Sequence, residues 1–548
     1  MQAPRAPRRV RFAALAGAAV IVWGLAAWRV RESLRAPDAT DARAETAALH
    51  SARDRGLGGE VMDLTTTYAV GLPGTLPLQE LLVAAGVPRF LPARGLDALR
   101  GLPAPGPRLV LAGALSAESA RAFCARDRAV ITLETPATRE VRALRLGELT
   151  LPLSVRAATL TPSAQESVLA TDENGQALMV AGPCEGGVLL RLGVDLGAAL
   201  LQWRQGDPAR VDWDHDGNGE LQPADLSPAL PAALRGVPWA DRLVDAVLSA
   251  LDRGMACALP RIDPLPAGDG PVVVLTADQD YASDEVVRAM ADRLEARGAR
   301  ATFLLTDPTL GLPADLNARE GAAPELSTDL AVALRARGHG LGIHPFPRVV
   351  DDVSAVAQRF AARHGARPLI ARNHHLRWSG HLEIPAREAG AGVAMNLDWM
   401  PVGRDGAACV GFPGGSARPL RFVREGVALP MLQQPTVVDD YSLRVPSYEL
   451  LAGAARALGE AAAEVTARSR REGFAVVVNA HPVFVRFAPQ WLDPMLAAPG
   501  VRVITAERWL AFQLARREGA IAAARCGEAP RVVLPSGVTL YRGPRTSQ

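Results

Sequence analysis

Acidic, imidazole and guanidinium side chains recur where strand-like runs end. Asp278 and Asp280 follow the run 272–276, and His344 closes the run 340–344. Arg372, His374 and His375 follow 369–372, Asp398 follows 392–396, and His481 follows 474–480. Four of the nine histidines fall at these points. Carboxylates offer hard anionic oxygen and imidazoles offer neutral nitrogen. A set of both at one end of a sheet can hold a divalent cation and keep acid and base groups beside it. A single histidine after a strand is commonly structural, so the recurrence is the feature that points to chemistry.

A second string, DHDGNGELQPAD at 214–225, has the register of a calcium loop. Such a loop wants oxygen ligands at positions 1, 3, 5, 7 and 12 and glycine at 6 for a sharp turn. Asp214, Asp216, Asn218, Glu220 (through its carbonyl) and Asp225 fill the ligand positions, and Gly219 fills the sixth. The competing reading is an acidic, solvated turn without metal. Cys184 sits in GPCEG, a nucleophile-elbow pattern on paper. Proline precedes it and strands, not a helix, follow, so a turn residue is expected.

Positioning the first set requires repeated β-α units. Val272–Thr276 is an apolar, β-branched run suited to a strand buried on both faces. Ser283 offers a helix N-cap, with Asp284 and Glu285 where the helix dipole favours negative charge. Val286, Val287, Met290 and Leu294 recur at helical spacing, and Gly298 supplies the stop. Further strand-like runs at 301–305, 340–344, 369–372, 392–396, 474–480 and 501–504 predict a barrel-like or open parallel α/β fold. Segments 307–325 and 400–435 read as long loops.

Upstream, strand-like runs at 109–111, 129–133, 177–181 and 187–194 predict a separate α/β domain. Residues 256–270, rich in proline and glycine, read as a linker. The tail holds a possible hairpin at 531–534 and 538–541.

A chain of 548 residues with 49% hydrophobic and 22% charged residues is globular in composition. Its net charge of +2 gives no pull toward nucleic acid. No lysine occurs, which fits a GC-rich bacterial genome and excludes Schiff-base lysine chemistry and a P-loop. Five scattered cysteines form no CxxC pair. Arginines at 5, 8, 9 and 11 precede an uncharged run, 12–28, and Arg29 and Arg31 follow it. The run predicts an uncleaved membrane anchor, with a cleaved secretory signal as the alternative. The charge bias places the N-terminal end inside and the bulk of the chain in the periplasm. The expected division is an anchor at 1–28, a stalk at 29–57, an α/β domain at 58–255, the linker, a barrel at 271–515 and a tail at 516–548.

Residues 271–515 resemble the polysaccharide deacetylase family of carbohydrate esterases. The resemblance rests on TADQD at 276–280, RATFL at 300–304, GHGLGIH at 338–344, ARNHHLRW at 371–378, NLDW at 396–399 and VVVNAHP at 476–482. It implies a distorted (β/α) barrel and a divalent metal, commonly zinc, held by one aspartate and two histidines. Carried over, Asp278 is the general base and His481 the general acid. Arg372 orients Asp278, and Asp280 and His344 are metal ligands. The family's second metal histidine stands four residues after the first, where this chain has Arg348. His374 or His375 is the expected substitute. Trp378, Asp398 and Trp399 are candidates to contact substrate, the tryptophans alternatively being core. Residues 58–255 resemble glutamine-amidotransferase-like, flavodoxin-type α/β domains more weakly. The function implied is removal of acyl groups from an exported or cell-envelope polysaccharide at an inner-membrane-anchored enzyme. The alternative is a catalytically degenerate carbohydrate-binding protein on the same scaffold.

Overall fold

A computed structural model of the chain describes residues 67–70, 75–88, 90–93, 109–126, 128–211, 213–215, 217, 219–227, 231–307, 326–347, 350, 352–401, 409–445, 447–521 and 532–541. These residues fall within one unit, Asp63–Gln548, and form two large sheets and one two-stranded sheet.

The first sheet has nine strands. The apolar runs Leu109–Gly113, Ala129–Leu133 and Gly187–Leu192 are buried and parallel, as strands covered on both faces should be. Thr67–Val70 and Leu91–Ala93 extend that parallel edge. On the other side the sheet turns antiparallel through Ala177–Cys184, Ser167–Thr171, Arg139–Leu146 and Leu149–Ala157. The last two form a tight hairpin around Gly147 and Glu148, with Gly147 in the left-handed region. These strands, and Ser167–Thr171, were not foreseen. Their charged, half-exposed residues give no continuous apolar run. Cys184 ends its strand and is disulfide-bonded to Cys124, so its sulfur is not a free nucleophile.

Helix Trp239–Gly254 buries Leu243, Val244, Val247, Leu248 and Leu251 against this sheet. Trp239 meets Trp203 edge to face, centroids 5.3 Å apart.

The second sheet has ten strands. Val272–Asp278 lies between Thr302–Thr306 and Val476–Asn479, and Arg502–Ile504 also pairs with it. Beyond Thr302–Thr306 come Gly340–His344, Ile370–Ala371, Met395–Asn396 and Val427–Gln433, all parallel. Leu420–Arg424 closes that edge antiparallel, and Val438–Asp439 closes the other edge. Every strand-like run expected in this half is present, with ends displaced by up to three residues. The strands Leu420–Arg424 and Val427–Gln433 were hidden in the segment 400–435 expected to be loop, where glycine and proline mask them, and Val438–Asp439 just after it was not foreseen. Helix Asp284–Glu295 starts after Ser283, buries Val286, Val287, Met290 and Leu294, and is followed by Gly298 in the left-handed region.

The two sheets keep separate cores that are joined by side-chain contacts. Gln205 donates from Nε2 to the Val423 carbonyl and accepts from the Val423 amide, imitating a strand partner. Arg418 grips Asp245 with both terminal nitrogens, at 2.7 and 2.8 Å. Leu420 belongs to the first core and Leu226 to the second. Leu259, Ile262 and Leu265 of the expected linker are buried. The tail strand Val532–Val533 pairs with Ala520–Ile521, and Leu540 bridges to Ile262, in place of the expected hairpin.

The expected single-pass inner-membrane placement is corrected. Among the described residues no helix is long and apolar enough to cross a membrane. The longest described helix, Tyr448–Glu472, is amphipathic and carries charges along its length. The run 12–28 on which that expectation stood lies outside the described residues.

Candidate metal centre

The C-terminal ends of four strands converge, drawn from five consecutive strands of the second sheet. Asp278 is the last residue of Val272–Asp278, and Asp280 lies just beyond it in the left-handed region at φ 47°. Aspartate tolerates that region better than most residues, and strain of this kind gathers at functional sites. His344 ends its strand, Arg372 to His374 follow Ile370–Ala371, and His481 caps the helix Pro482–Phe487 after Val476–Asn479.

Asp280, His344 and His374 bring one ligand atom each within 4.8 Å of one another. His344 Nε2 is 3.0 Å and His374 Nε2 is 3.5 Å from Asp280 Oδ1. His344 donates from Nδ1 to the Arg372 carbonyl at 2.8 Å, which turns Nε2 toward the carboxylate as the free nitrogen. Asp280 Oδ1 and His344 Nε2 are buried, and among the described residues neither has a hydrogen-bond partner. Two electron-rich atoms at 3.0 Å require a proton or a cation between them. Burial lowers the basicity of His344, but Asp278 and Asp280 outweigh it and raise the imidazole above its usual range. Burial pushes His374 down to about 3, leaving the neutral imidazole that ligation needs. Burial alone would raise Asp280, yet the surrounding imidazoles hold it well below the usual carboxylate range. The donor set of one carboxylate and two imidazoles therefore fits a divalent transition metal with open positions.

Asp278 lies beside this cluster. Its Oδ1 accepts from Arg372 Nη1 at 2.8 Å and its Oδ2 from Asn479 Nδ2 at 2.9 Å. Burial would raise its pKa, but Arg372 and the two histidines carry it below the ordinary value. Arg372 is buried and fully engaged, donating also to Thr276 Oγ1, Thr436 Oγ1 and the Leu397 carbonyl. His481 Nε2 stands 3.4 Å from Asp280 Oδ2 and 4.0 Å from Asp278 Oδ2. Its Nδ1 lies 2.5 Å from Asp440 Oδ1, and its amide donates to Asp440 Oδ2 at 2.8 Å. Burial opposes charge on His481, but Asp440 and Asp280 raise it well above the usual imidazole value.

Asp439 and Asp440 were missed by sequence reasoning. They lie at the end of a two-residue strand, too short to register, although TVVDD at 436–440, an apolar pair closed by two carboxylates, is a signal of a strand end. Burial and the charge of Asp440 push Asp439 up to about 7, and burial raises Asp440 as well, against the pull of His481.

Other expected residues lie elsewhere. His375, the alternative to His374, turns away to Glu220, with Nδ1 3.3 Å from Oε1. Trp378 and Trp399, expected as possible substrate contacts, are instead buried edge to face with centroids 5.2 Å apart. Asp398 is also buried, accepting from the Asn373 amide and from Asn373 and Asn396 side chains. None of the three presents a surface to a ligand. Arg348 lies outside the described residues, as do Asp216 and Asn218 of the expected calcium loop. Of that loop, Asp214 accepts from the Gly217 and Gly219 amides. Asp225 accepts from the His215 and Gln222 amides.

No family model matches the chain, and no curated protein matches it. Solved structures do. A CE4 family pseudoenzyme from Bacillus anthracis aligns at 12% identity over 44% of this chain and 66% of its own, with a TM-score of 0.27. A putative polysaccharide deacetylase involved in O-antigen biosynthesis, from Bordetella bronchiseptica, aligns at 16% identity over 41% of this chain and 89% of its own, TM-score 0.24. A peptidoglycan deacetylase from Bacillus subtilis aligns at 12% identity over 46% of this chain and 94% of its own, TM-score 0.26. The amidotransferase-like resemblance of residues 58–255 finds no support in these comparisons.

Proposed function

We propose that this chain is a metal-dependent hydrolase that removes acetyl groups from the amino sugars of a polysaccharide. The observation that carries the reading is the convergence of Asp280 Oδ1, His344 Nε2 and His374 Nε2 in one buried cluster, with no other hydrogen-bond partner for the first two among the described residues. Asp280, His344 and His374 would hold the metal, and zinc suits two imidazoles and one carboxylate. When bound, such an ion supplies Lewis-acid polarisation of the acetamide carbonyl and makes an attacking water more acidic.

The chain's own residues supply the proton transfers. Asp278 is ionised and fixed between Arg372 and Asn479, and it accepts the proton of the attacking water as the new C–O bond forms. His481 is anchored through Nδ1 to Asp440, so Nε2 carries the proton available to the departing nitrogen. That proton reaches the amine as the C–N bond breaks, and acetate and a free amine result. Arg372 keeps Asp278 charged and aimed through a charge-assisted hydrogen bond.

The test is elemental analysis together with acetate release from an N-acetylglucosamine oligomer. The parent protein is expected to hold one equivalent of transition metal and to release acetate, and Asp280→Ala to do neither. A parent protein without stoichiometric metal would sink this reading. Metal without acetate release would favour a carbohydrate-binding protein on the same scaffold.

A further inference from the structure

His374 belongs to the second sheet, yet the turn that sets its orientation is held from the first half of the chain. After His374 the backbone enters the left-handed region twice in succession, at His375 and Leu376, each with φ 56°. Non-glycine residues occupy that region at a cost, and a β-carbon-bearing leucine there is an outlier that neighbours must enforce. Within the turn the Leu376 amide donates to the Asn373 carbonyl at 2.8 Å. The second sheet adds the Pro345 carbonyl, which accepts from the His374 amide at 2.7 Å, and Phe346, which packs on both imidazoles. On the far side of His374 the restraints come from three consecutive residues about 150 positions upstream. Glu220 Oε1 lies 3.3 Å from His375 Nδ1. The Leu221 carbonyl accepts from the Trp378 amide at 2.8 Å. Gln222 Nε2 donates to the His375 carbonyl at 2.8 Å.

This strap is itself anchored. Gln222 opens the short helix Pro223–Leu226, and its amide donates to Asp225 Oδ2. The Asp207 amide donates to the Leu226 carbonyl, and Leu226 is buried in the second core. Arg210 Nε donates to the Asp225 carbonyl at 3.0 Å. The strap therefore cannot drift without disturbing packed groups on both sides.

We propose that Glu220, Leu221 and Gln222 form a positioning strap for the metal centre, holding the 374–376 turn so that His374 Nε2 stays aimed at Asp280. The proposal rests on the reading of Asp280, His344 and His374 as a metal site. Gln222 is a positioning residue and touches neither metal nor substrate. Its removal frees a buried carbonyl inside a strained turn, and the turn relaxes at the expense of ligand alignment. Outer-shell losses of this kind weaken metal affinity by about 10- to 100-fold.

The experiment uses the full chain and measures zinc affinity by competition with a chromophoric chelator, with the d–d spectrum of bound cobalt as a second readout. Gln222→Ala is expected to bind zinc at least about tenfold more weakly and to shift the cobalt spectrum. The melting temperature of its metal-free form should stay close to that of the parent. Gln222→Lys keeps an N–H donor of sufficient reach and is expected to recover most of the affinity. Glu220→Ala leaves the helix N-cap intact and is expected to weaken binding as well, which keeps the idea testable if Gln222→Ala fails to fold. Parent-like zinc affinity and cobalt spectrum in the folded variants would overturn the strap while leaving the metal centre standing. A parent protein that binds no metal would overturn the centre itself.

Discussion

His344 donates its Nδ1 proton to the carbonyl of Arg372 and turns Nε2 to Asp280 Oδ1 at 3.0 Å. One backbone carbonyl thereby decides which nitrogen faces the carboxylate. The same residue, Arg372, sends its guanidinium to Asp278. A single turn after a two-residue strand thus orients a candidate ligand with its backbone and a candidate base with its side chain. For His344→Gln the expected outcome is loss of stoichiometric zinc with retained folding. Metal analysis and circular dichroism of the purified variant check it, and full zinc occupancy would count against the centre.

Arg372 is the most committed buried cation of the site. Replacing it with methionine strands Asp278 and the acceptors of Thr276, Thr436 and Leu397. Breaking a buried pair by removing one partner costs about 3–5 kcal/mol. Denaturant unfolding of Arg372→Met should show a loss of that order. Arg372→Met combined with Asp278→Asn should recover part of it, because no unpaired charge remains. A double variant as unstable as the sum of the singles would refute the pairing.

His481 and Asp440 are expected to act as one unit. Without Asp440 the imidazole loses both its anchor and the charge that keeps it protonated. Asp440→Asn and His481→Ala should each lower kcat by about 10²- to 10⁴-fold, the range for loss of a general acid. The double variant should be no slower than the slower single, since groups that act together are non-additive. Rate losses that multiply would show that the two act separately.

Glu80 lies far from the site and governs acid stability. It is buried on helix Leu76–Ala84, and Arg421 of strand Leu420–Arg424 and Arg517 of helix Ala506–Glu518 grip its carboxylate at 2.6 and 3.0 Å. Burial would raise its pKa, but the two arginines lower it from 4.5 to about 2. A depressed carboxyl stabilises the fold above its unfolded value and loses that contribution as pH falls through the folded one. The shift corresponds to about 3 kcal/mol, present above pH 4.5 and lost toward pH 2. Glu80→Gln should therefore be less stable than the parent at pH 7, with the gap closing as pH falls through that window. Thermal unfolding across the range measures it, and a pH-independent gap would refute the assignment.

The strands around Val272–Asp278 were legible in the sequence because burial on both faces demands unbroken apolar, β-branched runs. The strands Arg139–Leu146 and Leu149–Ala157 were not, because half-exposed strands spend their residues on charge. Leu420–Arg424 and Val427–Gln433 escaped for another reason: short edge pairings survive among glycine and proline that normally mark loops.

The sequence by itself determined which ionisable residues stand at strand ends, since that depends only on local runs and the residues immediately after them. It could not choose between His374 and His375. The two are adjacent, and only the left-handed turn after His374 sends one ring to Asp280 and the other to Glu220. Nor could it foresee Asp440 beneath His481, or the hold of Glu220, Leu221 and Gln222 on the 374–378 turn. Those relationships join residues about 40 and 150 positions apart, and no local pattern encodes them. Asp440 meets His481 because Val438–Asp439 pairs with Val476–Asn479, and residues 220–222 meet the 374–378 turn because the first half of the chain packs against the second sheet.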